Sequence, residues 1–308
     1  MSHDAVLTSP KAFLEAISHR PFDPQSCVLP RAVFVVEPAD FRVDPESLVD
    51  NRYLDLVSGS DPERAQRQSR NLAAALRACG VDLTLFPGDP AAPDGVFSNN
   101  VFGTSPGRAV VGRMRHPGRR REANRADIRN FLLAQGYVID DLSEQDMVAE
   151  LTGSVVIDRA RGIGFCGMTQ RVDEAGLRAM HKAFDLSLTF RFDLAEGEYH
   201  TNVVLAILAG RACVICPDAI ADESVVDAIV AAFPGRTLML SRAEKDAFAG
   251  NCIALTARDL FMSESGADAL AAGARAQLES WGFHLQAVAL DEIEKAGGSL
   301  RCMITELF

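Results

Sequence analysis

The sequence predicts a mixed α/β fold of short strands in one unbroken domain, and three observations carry that expectation. Short apolar or alternating runs recur along the whole chain, separated by stretches of helical length, in a two-strands-then-helix rhythm that returns about five times. No Gly/Ser-rich or Pro-rich segment divides the chain, so residues 1–308 read as a single domain, with 1–30 as an N-terminal leader. The composition, 48% hydrophobic and 24% charged, is that of an ordinary globular protein with enough apolar surface for a sizeable core.

Taken in order, the leader carries one helix near Lys11–His19. Arg31–Val36 is an apolar run that reads as a buried strand. The prolines at 38 and 45 bar a helix from the loop that follows. Residues 61–79 form a helix, with Asp61 as N-cap, Pro62 at the first helical position and Gly80 just past the end. Val81–Phe86 alternates as a half-buried strand, and Arg108–Gly112 is another. The basic run 113–125 reads as a solvated face. Ala126–Ala134 is helical and Gly136–Asp140 a strand. A hairpin turns around Asp158–Arg161. A helix over Val172–Phe184 leads to a strand over Leu186–Phe192. Tyr199–Ile207 and Ala212–Cys216 read as strands, then Asp218–Phe233 as a helix. Thr237–Leu240 and Asn251–Leu255 are strands flanking a short helix, Ser241–Phe248. Gly266–Gly282 is a helix, and His284–Leu290 a strand.

The formal net charge is −11, which excludes nonspecific nucleic-acid binding by a basic surface. No apolar run reaches the ~18–20 residues of a membrane span. Met1-Ser2-His3-Asp4 lacks the basic start of an export signal, so a cytoplasmic location with reduced thiols is expected. There are seven cysteines. Cys213 and Cys216 sit in a predicted strand, where residues three apart face opposite sides, and no second CxxC completes a zinc site, so they read as structural. No glycine-rich nucleotide loop is present.

Four groups interrupt apolar surroundings. Cys302 follows the Gly297-Gly298 turn and reads either as a core cysteine or as an aimed nucleophile. His200 opens an apolar run, as an edge residue or a base. Glu150 and Asp94 lie in turns, where acids also serve local needs. Together they have chemical sense: a thiolate needs a neighbouring base, the base can protonate a leaving amine and activate water, and a carboxylate can orient a planar N–H-rich group. Asn99-Asn100 can satisfy loop backbone or meet a ligand.

Six blocks of the chain resemble the arginine deiminase and amidinotransferase superfamily of guanidino-group modifying enzymes. They are Val35–Phe41, Asp94–Phe102, Glu150–Ser154, Tyr199–Val203, Ala249–Asn251 and Gly297–Met303. They occur in family order, and the likeness is strongest to citrulline-utilisation hydrolase-like proteins. The resemblance implies a five-bladed α/β propeller, the pentein fold, of ββαβ modules with pseudo-fivefold symmetry around a central site. It also implies Cys302 as nucleophile, His200 as general acid and base, and Glu150 as the group that holds the substrate nitrogens or steers His200. Asp94, Asn100, Asn202 and Arg301 are the substrate-binding candidates. No metal and no cofactor are implied. The partner is a small-molecule substrate, with neither nucleic acid nor membrane, and a homodimer is left open.

Arginine-acting members usually carry aspartate at the positions of Asn100 and Asn202. A charge pair at ~4 Å is worth a few kcal/mol at an intermediate dielectric, so two amides in their place favour a neutral ureido group over a guanidinium. The expected activity is therefore a cysteine-dependent C–N hydrolase acting on an arginine-related amino acid, with citrulline as the first choice. Amidino transfer, or an arginine deiminase or dimethylarginine hydrolase activity, is the alternative. A catalytically silent ligand-binding protein is the alternative of another class.

Overall fold

The structure, a computed structural model, describes residues 5–308. The reading of Met1–Asp4 as free of an export signal lies outside the described residues. The strands in chain order are β1 (Ala5–Leu7), β2 (Ala32–Val36), β3 (Leu83–Phe86), β4 (Phe102–Ser105), β5 (Arg108–Val111) and β6 (Val138–Asp141). Next come β7 (Val155–Asp158), β8 (Ile163–Met168), β9 (Leu188–Asp193), β10 (Leu205–Leu208), β11 (Ala212–Ile215) and β12 (Thr237–Met239). β13 (Ile253–Ala254), β14 (Asp259–Ser263), β15 (His284–Val288) and β16 (Thr305–Leu307) complete the set.

These strands form five small sheets with one shared plan. The orders are β16-β2-β3, β4-β5-β6, β7-β8-β9, β10-β11-β12 and β13-β14-β15, with β1 added beside β9. In every sheet the first pair is antiparallel. The second pair is parallel. A parallel pair needs a crossover, and a helix supplies it in each sheet: Pro62–Ala78, Ala126–Ala134, Glu174–Ala183, Glu223–Ala232 and Ala272–Ser280. The strand–strand–helix–strand rhythm of the sequence is this unit. One sheet joins the two ends of the chain, because β16 pairs with β2.

Local chemistry accounts for the elements. Asp61 caps its helix by accepting from the Arg64 N–H, Pro62 opens it, and Gly80 leaves it at φ +77°. All five residues of β2 are buried, as its unbroken apolar run requires. The hairpin β7–β8 turns through Gly162 at φ +66°. Cys213 and Cys216 are buried free thiols around β11.

The structure corrects several expectations. The leader is partly built into the fold: β1 pairs with β9, and Phe13 stacks on Phe190 at 4.2 Å between ring centroids. The expected strand Tyr199–Ile207 holds instead a helical turn, Thr201–Val204, before β10. Residues Leu151–Ser154 likewise make a turn of helix before β7. The expected helix Gly266–Gly282 is two, Glu264–Ala269 and Ala272–Ser280. The basic run is not uniformly a solvated face, since Arg119 and Glu122 are buried as a bidentate pair.

Candidate active site

One structural habit recurs before the first strands of the sheets. A single tight turn precedes β4, β7, β10 and β16: Ser98–Asn100, Leu151–Ser154, Thr201–Val204 and Leu300–Met303. The turns carry, or start beside, Asn100, Glu150, His200 with Asn202, and Cys302. Asn251 sits just before β13. Residues far apart in sequence are thus presented by equivalent corners of successive sheets. The turns are stitched to one another: the Thr201 hydroxyl donates to the Ser154 carbonyl at 2.6 Å, the Thr152 hydroxyl to the Asn99 carbonyl at 3.1 Å, and Asn251 Nδ2 to the Asn202 carbonyl at 2.9 Å.

The glycines of these corners are needed for space. A methyl at Gly153 would lie 2.5 Å from Asn100 Oδ1 and 2.8 Å from His200 Cε1. Gly297 adopts φ +77° with Asn51 packed against its α-carbon, and a methyl at Gly298 would meet the Phe97 ring at 2.9 Å.

A cavity of about 280 Å³ is lined by Asp94, Asn100, His200 and Cys302, together with Arg119, Arg171 and Tyr199. Cys302 is 1% exposed, and its Sγ receives Asn251 Nδ2 at 3.3 Å and Asn202 Nδ2 at 3.6 Å. Burial pushes the thiol pKa up, and the contact with Asn251 partly offsets this. His200 Nε2 lies 2.8 Å from Glu150 Oε2. Its Nδ1 is buried without a hydrogen-bond partner among the described residues, which leaves that nitrogen for a ligand. Burial and the positive charge of Arg171 lower the His200 pKa against the opposing pull of Glu150.

Glu150 is fully buried. Burial raises its pKa, but Arg171 at 3.1 Å and His200 outweigh that and hold the carboxylate well below its ordinary range. The Arg115 backbone N–H adds a bond at 3.1 Å. Arg171 in turn grips Asp50 through two bonds of 2.7 and 2.9 Å. Asp50 also meets His116 at 3.1 Å, and its pKa falls to about 2: burial opposes ionisation, but His116 and Arg171 prevail. The chain His200–Glu150–Arg171–Asp50 is a continuous charged scaffold behind the imidazole.

Asp94 differs from these acids. Its Oδ1 is buried without a partner among the described residues, and burial raises its pKa to about 7 despite Arg119 nearby. Asn100 Oδ1 is likewise unpartnered. Unsatisfied buried acceptors lining a cavity mark places where a ligand can donate.

The structure thus brings Cys302, His200, Asp94 and Asn100 to one cavity, with Glu150 behind His200 and Asn202 against the thiol. Arg301 lies apart. Its guanidinium binds the Ile304 carbonyl and Glu306, and it lines a different cavity. Asp50 and Arg171 drew no attention in the sequence, while Tyr199 was seen only as part of a resembling block and Arg119 only as part of the basic run. Asp50 and Arg171 had no motif to reveal them, since they meet across 121 positions. Tyr199 is adjacent to His200 and donates to the Gly297 carbonyl at 2.5 Å, tying the histidine corner to the glycine turn before Cys302.

Among the described residues there is no group of metal-ligating side chains, and no helix is long and apolar enough to cross a membrane.

Comparison with known proteins gives the family and the fold class. Over 239 residues the chain is 25% identical to the uncharacterized protein YkgA of Bacillus subtilis (strain 168), covering 77% of this chain and 78% of that one. Its fold is similar to the N-terminal domain of ArgZ, an arginine dihydrolase of the ornithine-ammonia cycle in cyanobacteria, solved as a mutant bound to substrate. The TM-score is 0.78 at 20% identity, covering 90% of this chain and 97% of that one. A dimethylarginine dimethylaminohydrolase, solved as an adduct with S-methyl-L-thiocitrulline, gives a TM-score of 0.70 at 21% identity, covering 91% of this chain and 100% of that one. The fold is therefore a mixed α/β one of the class these guanidino-modifying proteins share. The family model for eukaryotic N,N dimethylarginine dimethylhydrolase matches residues 37–308, nearly the whole chain, and the protein belongs to that guanidino-modifying family.

Proposed function

We propose that this protein is a cysteine-dependent hydrolase that cleaves the ureido or guanidino group of an arginine-related amino acid, with citrulline as the preferred substrate. The observation that carries this reading is the meeting of Cys302, His200 with its free Nδ1, and the unsatisfied acceptors of Asp94 and Asn100 in one small cavity. Charge favours a neutral group. Glu150 and Asp50 are neutralised by Arg171 and its neighbours, Asp94 has a pKa of about 7, and the amides of Asn100 and Asn202 carry no charge. The site therefore lacks the pair of free carboxylates that would hold a guanidinium tightly. The five sheets of like order also support the arrangement implied by the resemblance, five ββαβ modules about a pseudo-fivefold axis.

In the proposed course the Cys302 thiol passes its proton to His200 and the sulfur adds to the ureido carbon, while Asn202 and Asn251 steady the sulfur. His200, held by Glu150, delivers a proton to the leaving nitrogen as its bond to carbon breaks. Ornithine departs and Cys302 carries an S-carbamoyl group. His200 then takes a proton from water, whose oxygen attacks the carbamoyl carbon. The thiol is released with carbamate, which yields ammonia and carbon dioxide.

A second reading has a specific motive. ArgZ, of similar fold, is an arginine dihydrolase. Arginine would then enter first, lose ammonia by the same steps to give citrulline, and be hydrolysed again. Steady-state assays with citrulline, arginine, methylated arginines and agmatine, scored for ammonia and amine, separate the readings. Good turnover of arginine with none of citrulline rejects the citrulline preference. Product formation that depends on an added amine assigns amidino transfer instead.

A further inference from the structure

A second cavity shares no lining residue with the first. Its walls come from β7, β10, β13 and β16, the opening strands of four sheets. Asn202 and Thr152, from the catalytic turns, also line it. Its charged side chains are Arg159, Arg301 and Glu306. Arg301 and Glu306 pair at 2.8 Å and cancel. That leaves Arg159.

Arg159 is unlike the other arginines packed into this protein. Arg119 holds Glu122, Arg161 holds Asp158, and Arg171 holds Asp50 and Glu150. Arg159 has neither a hydrogen bond nor an ion pair among the described residues, although it is only partly exposed. Its guanidinium is instead fixed by aromatic faces, 4.2 Å from the Phe308 ring centroid and 5.7 Å from that of Phe184. Stacking occupies the plane of a guanidinium and leaves its edge, where the N–H groups lie, for a planar or tetrahedral oxyanion. The Phe308 backbone oxygen is already taken by the Tyr137 hydroxyl at 2.7 Å. A preoriented, unpaired guanidinium in a walled cavity whose other charges cancel is a built receptor for one negative charge.

We infer that this cavity is a binding site for a small oxyanion, a carboxylate or a phosphate, with Arg159 as its main ligand. The site is independent of the proposed hydrolase activity and stands or falls without it.

The test uses the full chain and isothermal titration calorimetry at constant ionic strength, with chloride as the balancing salt. Inorganic phosphate, acetate and succinate are titrated in parallel, and their ranking distinguishes a phosphate site from a carboxylate site. Saturable binding is expected for at least one of them. Arg159→Gln should weaken it about tenfold or more, and Arg159→Lys by less, because Lys keeps the charge but loses the fork. Glu306→Gln should tighten it by freeing Arg301. No saturable binding by any of the three anions, or equal affinity in the parent and Arg159→Gln, overturns the assignment. If Arg159→Gln does not fold, Glu306→Gln decides, and unchanged or weaker binding there overturns it equally.

Discussion

Gly153 is a tight constraint on the candidate site, and Gly153→Ala tests it with one methyl group. That methyl would stand 2.5 Å from Asn100 Oδ1, 2.8 Å from His200 Cε1 and 2.9 Å from His200 Nδ1. Ordinary van der Waals contact begins near 3.4 Å, so the amide must retreat by 3.4 − 2.5 = 0.9 Å and the imidazole by 3.4 − 2.8 = 0.6 Å. Neither has room to do so freely. His200 is held by Glu150 at 2.8 Å, and both side chains are buried. Overpacking of this kind costs about 1–3 kcal/mol of stability. Displacements of 0.6 Å at the proposed base and 0.9 Å at Asn100 approach the 1 Å misplacement that costs about 100-fold in turnover. The expected result is a folded protein with a modestly lowered melting temperature, kcat down by about two orders of magnitude, and KM changed far less. Circular dichroism melting and steady-state kinetics on citrulline and arginine read the two effects separately. A Gly153→Ala protein with parental kcat would refute the placing of His200 and Asn100 at the reacting group.

Other expectations follow from the same geometry. Cys302→Ser should abolish turnover with the fold retained, and a variant as active as the parent removes the covalent mechanism. Cys27 is exposed whereas Cys302 is buried with a raised thiol pKa, so plain iodoacetamide should label Cys27 first. In a Cys27→Ser background, a haloacetamidine should mark Cys302 ahead of the remaining cysteines, and uniform labelling of all of them favours a silent protein. Glu150→Gln leaves Arg171 and His200 facing a neutral amide and should cost about 3–5 kcal/mol by denaturant unfolding. Because the folded-state pKa of Glu150 is depressed, its contribution is present above the unfolded value near 4.5 and lost as pH falls through the folded one. The parent should therefore show an acid-side loss that Glu150→Gln lacks. Asp94 has the opposite sign. Its pKa is raised to about 7, so stability should fall as pH climbs from about 4 to 7, and Asp94→Asn should flatten that slope. A guanidinium ligand should also bind the parent more tightly above pH 7 than below it, and pH-independent binding would separate Asp94 from the ligand.

Much of the fold was legible because it is written in local code. The apolar run of β2, the Asp61-Pro62 start and Gly80 stop of the first long helix, and the Ala126–Ala134 helix each depend on neighbours within a few positions. The short turns Leu151–Ser154 and Thr201–Val204 were not legible. Four residues of helix leave no periodicity, and both run directly into strands of the same apolar character. The leader's β1 was hidden for a related reason, since three residues become a strand only by pairing with β9. At the site, Cys302, His200, Glu150 and Asp94 could be singled out as reactive or acidic residues interrupting apolar runs. Arg301 entered only with the family resemblance, and its guanidinium turns to Glu306 and away from the first cavity.

By itself the sequence determined which chemical groups the protein owns: a thiol after two glycines, an imidazole opening an apolar run, a few acids, and amides at positions where related enzymes carry charge. Which of them meet, and in what state of charge, was decided only by the tertiary structure. Ionisation depends on burial and on partners more than a hundred positions away, as Asp50 beside Arg171 and an orphaned Asp94 demonstrate. Neither burial nor such a partner leaves a mark in the neighbouring residues.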